Sequence, residues 1–139
     1  MQVKQISSFK DLKQVFKLTL NNSNKELYTM LSHRPLVYFF DKEFYDFYMQ
    51  DRVNKNIFLK SLRFSEEEVD NKDHKNYDSL YKEVRVAPRE IDIYSSIILW
   101  DNNIIMFDEN SIEGVFIKDN ENMSKTMKSL FEKMWNESK

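Results

Sequence analysis

Residues 94 to 117 read YSSIILWDNNIIMFDENSIEGVFI, and no other stretch constrains the fold as strongly. Ser95–Trp100 and Asn103–Phe107 have the length and the β-branched and aromatic content of strands. They meet at Asp101-Asn102-Asn103, residue types that tolerate left-handed backbone angles and so suit a hairpin turn. IEGVFIK adds another strand close behind. A chain with this segment must build a sheet, and the rest of the sequence has to cover it.

Helical and strand patterns alternate through that remainder. Ser7 or Ser8 is placed to cap a helix carrying Phe9, Leu12, Val15 and Phe16 at helical spacing, running to about Leu20. The polar NNSN closes it, and Glu26–Ser32 reads as a strand broken by His33-Arg34-Pro35. From Asp41 the pattern is helical again, with Phe40, Phe44, Phe47 and Tyr48 expected in the core. Ile57–Phe64 and KEVRVAP, closed by Pro88, read as two more strands. The most polar segment, SEEEVDNKDHKNYDS, lies between them. Asn120 opens a last helix whose Met123, Met127, Leu130, Phe131, Met134 and Trp135 make an apolar stripe. The expected class is α/β, a mixed β-sheet flanked by helices in a single domain spanning 1–139.

Composition removes several function classes. A net charge of −2 gives no reason to expect a phosphate-binding surface over the whole domain. With Gly114 as the single glycine, a phosphate-cradling glycine loop cannot be built, so Rossmann and P-loop readings fail. The absence of cysteine excludes disulfides and thiolate chemistry and fits a cytoplasmic location. The N-terminus lacks a signal-peptide core, and no apolar run approaches the ~20 residues of a membrane span.

Six segments, in this order, carry a family resemblance: NKELYTMLS, DRVNKNIFLKSL, YDSLYKEVRVAP, YSSIILWDNNIIMF, IEGVFIKDNE and SLFEKMWNES. Together they resemble the effector domain of TrmB-like transcriptional regulators, a phospholipase-D-like domain that follows an N-terminal winged helix. The resemblance covers the chain from Phe9 onward. It implies a homodimer and a small-molecule effector, a sugar or an anion. A winged helix takes about 70 to 90 residues, and almost nothing precedes Phe9. DNA is therefore expected to be reached only through a winged-helix domain absent from this chain.

Phospholipase-D-type enzymes use a His-x-Lys-x4-Asp strand motif, in which the His attacks phosphorus and the Lys neutralises phosphate oxygens. Laid on this chain, the motif puts Tyr94 in the His place, Ser96 in the Lys place and Asp101 in the Asp place. A phenol with pKa ~10 is a poor nucleophile at neutral pH, and Ser96 brings no positive charge. No catalytic residues, cofactor or metal are expected. Tyr94, Ser95, Ser96 and Asp101, with Arg85 from the preceding strand, remain as candidates for lining a small-ligand pocket. Asp101 also has a simpler role in the hairpin turn.

His74 lies at i±4 from Asp70 and Asp78, a spacing read as a solvated face rather than a metal site, and His33 reads as a loop residue. In VYFFDKEFYDFYM, Tyr38, Tyr45 and Met49 exceed what one core face needs and are assigned to a homodimer surface. The apolar stripe of the last helix is expected in the core rather than in a partner groove, with Trp135 close enough to the end to touch a second copy. Two other functions stay open at this stage: a stand-alone module that pairs with full-length regulators, and a phosphodiesterase or nuclease with a non-standard site around Tyr94 and Asp101.

Overall fold

Helix starts are fixed by side-chain oxygens that accept otherwise orphaned backbone amides. The side chain of Ser8 accepts from the Asp11 amide at the start of α1 (Phe9–Leu18), and Asp41 accepts from Phe44 at the start of α2 (Lys42–Asn54). Asn120 does the same for Met123 in α3 (Glu121–Glu137). A computed structural model describes residues 2–32, 40–64 and 81–138. Its strands are β1 (Gln2–Ile6), β2 (Glu26–Leu31), β3 (Phe58–Arg63), β4 (Lys82–Val86), β5 (Ser96–Trp100), β6 (Asn103–Phe107) and β7 (Gly114–Lys118). They make one sheet in the order β1-β7-β6-β5-β2-β3-β4.

The sheet has two halves of different character. β2, β3 and β4 run parallel, whereas β5, β6, β7 and β1 form an antiparallel meander. The halves join where β5 lies antiparallel to β2, with Tyr28 opposite Leu99 and Met30 opposite Ile97. Alternation then sends side chains to two cores. Ile98, Trp100, Leu27 and Leu31 enter the core under α1 and α2, where the Phe16 ring contacts Phe40, Tyr48 and Phe107 edge-on. Ile97, Leu99, Tyr28 and Met30 enter the core under α3, against Phe131 and Trp135. Among the described residues no helix is long and apolar enough to cross a membrane.

The mixed, helix-covered sheet matches the expected class, and four local readings change. β1 was not anticipated: four of its five residues are exposed, and it is held by long-range pairing to β7 that leaves no local signal. Phe47 is 57% exposed and not core, because the face of α2 that meets the sheet runs through Tyr45, Tyr48, Met49 and Arg52. Met49 is therefore buried, and Tyr45 packs on the core rather than on a dimer surface. Trp135 is buried in the core as expected, stacked on Phe131, whereas Met123 and Leu130 of the same stripe are exposed, because the line of α3 that meets the sheet runs through Ser124, Phe131 and Trp135. The readings on His33, Tyr38, His74, Asp70 and Asp78 fall outside the described residues.

The single glycine has a steric reason. A Cβ on Gly114 would lie 2.2 Å from the Met106 carbonyl oxygen and 2.7 Å from Phe107 Cα. Backbone cannot retreat as a flexible side chain would. Gly114→Ala is therefore expected to destabilise the fold by about 3 kcal/mol, at the upper end of overpacking costs, read as a shift of the urea midpoint.

Arg52 ties α2 to the starts of two parallel strands. It is fully buried, and its Nη1 donates to the carbonyls of Ile57 (2.6 Å) and Tyr81 (2.9 Å). Burial holds its pKa below the ordinary arginine value. Removing the side chain takes a donor from two carbonyls, at about 1–3 kcal/mol for each buried group left unsatisfied. Arg52→Ala should cost about 3 kcal/mol in the same measurement. Lys55→Ala, which breaks an exposed pair with Asp51 (2.7 Å), should cost less than about 1 kcal/mol.

Candidate functional site

β2, β3, β4 and β6 end, and β5 and β7 begin, at the same end of the sheet. That end gathers a buried polar cluster. Ser96, the first residue of β5, is fully buried and points into the core beneath α1 and α2, beside Phe107. Its hydroxyl donates to Glu109 Oε1 at 2.8 Å and accepts from the Ser32 amide at 3.1 Å; the Ser32 hydroxyl lies 3.5 Å away. Ser32 and Glu109 are buried as well. On the same sheet face, deeper along the strands, Thr29 donates to the Ser61 hydroxyl at 2.7 Å.

Glu109 comes from the loop between β6 and β7, which carries a second unusual feature. Ile112 adopts φ 62°, a conformation that is costly for a β-branched side chain. It is held there by burial in the core and by donating its amide to the Asp108 carbonyl at 2.8 Å. Asp108 Oδ1 accepts from the amides of Asn110 (2.7 Å) and Ser111 (3.2 Å), which shapes the turn around Glu109. A buried carboxylate and a strained backbone thus stand within four residues of each other.

The five sequence-derived candidates are not brought together. Tyr94 precedes β5 and is 80% exposed; Ser95 is half-buried beside it; Ser96 lies beneath. Asp101 is at the far end of β5, about 16 Å away at ~3.3 Å per residue. There its carboxylate accepts from the amides of Ser23 (2.9 Å) and Asn24 (3.0 Å), and its carbonyl accepts from Lys128 Nζ (2.6 Å). Its φ of 48° belongs to the two-residue loop left by the pairing of Trp100 with Asn103. Arg85 is on the opposite face, its Nε on Glu83 (2.7 Å) and its guanidinium 4.4 Å from the centre of the Trp135 ring. Sequence reasoning missed Ser32 and Glu109. The sequence around Glu109 points elsewhere: the carboxylate directly after the strand is Asp108, and Glu109 follows it.

Two open grooves lie elsewhere. One, of about 480 Å³, is lined by Val3, Gln5, Asp108, Ser111, Glu113, Gly114 and Val115. The other, of about 440 Å³, runs between α1 and α2 past Phe47, Lys17 and Lys55. None of the five candidates lines either groove. Among the described residues no group of three His, Asp or Glu side chains is arranged to hold a metal ion.

No family model matches the sequence, and no curated protein does. Solved structures do match the fold. A structure of TrmBL2, an archaeal chromatin protein with a novel mode of DNA binding, superposes on 100% of this chain with a TM-score of 0.67 at 15% identity. The chain spans about half of that protein, 54% of its length. Polyphosphate kinase from Porphyromonas gingivalis superposes on 97% of this chain, also with a TM-score of 0.67, at 5% identity and over 26% of its own length. Identities this low speak for the fold alone, and the fold is the phospholipase-D-like α/β arrangement of a mixed sheet flanked by helices.

Proposed function

We propose that this chain is a catalytically inert effector and dimerisation domain of a TrmB-like transcriptional regulator, acting in the cytoplasm as a single unit. One observation carries the reading: the hydroxyl of Ser96, in the place where phospholipase-D chemistry needs an ammonium, is buried and already engaged. It donates to Glu109 and accepts from Ser32, so that position supplies neither charge nor a spare donor to a phosphate. The neighbouring nucleophile place holds Tyr94, a phenol turned to solvent. TrmBL2 and polyphosphate kinase, an enzyme, superpose on the chain equally well, so the choice of regulator over enzyme rests on Ser96 and Tyr94 and not on the superpositions.

In this reading the strand end senses a ligand. Tyr94 and Ser95 form the contact rim, and Ser96, Ser32 and Glu109 hold that rim from beneath. Hydroxyls without a fixed cation suit a neutral, hydroxylated molecule of sugar type better than an anion. Binding at the rim would be transmitted through β5, which joins the two halves of the sheet. DNA reading belongs to a separate winged-helix element of the regulator.

Hydrolysis assays with bis(p-nitrophenyl)phosphate and with single- and double-stranded DNA test the inert part. Neither the wild type nor Tyr94→Phe should exceed background, and turnover by the wild type that Tyr94→Phe abolishes would contradict the proposal. A thermal-shift panel of mono- and disaccharides tests the sensing part. A ligand at about 100 times its Kd stabilises the native state by about 2.7 kcal/mol, which raises the Tm by several degrees. That shift should disappear in Tyr94→Ala; no shift with any sugar, or one that Tyr94→Ala preserves, would remove the rim from the account.

A further inference from the structure

We draw no further inference here: the strongest candidate, the open groove at the β1 edge of the sheet, where the exposed Val3 and Val115 stand beside the carboxylates of Asp108 and Glu113, is an apolar patch next to two acidic side chains, and nothing in the structure shows what covers it.

Discussion

The fold depends on the burial of β5 on both faces. All five of its residues, from Ser96 to Trp100, are buried, and the strand is bonded to β2 on one side and β6 on the other. Without it the parallel layer β2-β3-β4 and the antiparallel meander β6-β7-β1 would share no edge. Its alternation also assigns the helices: Ile98 and Trp100 commit one face to α1 and α2, and Ile97 and Leu99 commit the other to α3. At about 25 cal/mol per Å² of apolar surface removed from water, a strand covered twice gains about double what a half-exposed strand gains.

This burial also decides what the strand can do chemically. A working phosphoryl-transfer strand must present a base and a cation to a solvent-accessible substrate. Here Tyr94 is in solvent, Ser96 is sealed in a serine–glutamate–serine cluster, and Asp101 accepts from the Ser23 and Asn24 amides at the other end of the strand. Tyr94, Ser96 and Asp101 are therefore not gathered into one group.

Much of the fold was legible because its signals are local. Helix starts are legible at Ser7 or Ser8, Asp41 and Asn120; of the two serines Ser8 is the cap, and Asp41 and Asn120 cap the helices that begin beside them. The hairpin of β5 and β6 follows from two apolar runs separated by Asp101 and Asn102. What was not legible depends on distant residues. β1 is a strand because β7 offers it an edge, and Gly114 is a glycine because the Met106–Phe107 backbone passes within contact distance. The α2 pattern gave a helix but misplaced its buried face, since Arg52 spends its charge on two carbonyls and sits inside. The candidate site was half visible: the strand motif pointed to Ser96, but nothing in the sequence said that Glu109, thirteen positions on, would fold back to accept its hydrogen bond.

The most direct measurement of the central claim is a ¹⁵N chemical-shift titration of the protein with inorganic phosphate. If the Ser96 hydroxyl is committed to Glu109 and Ser32, the amides of Ser32, Ser96 and Glu109 stay in place to tens of millimolar phosphate. Saturable shifts at those three amides would show a functioning phosphate cradle and contradict the account.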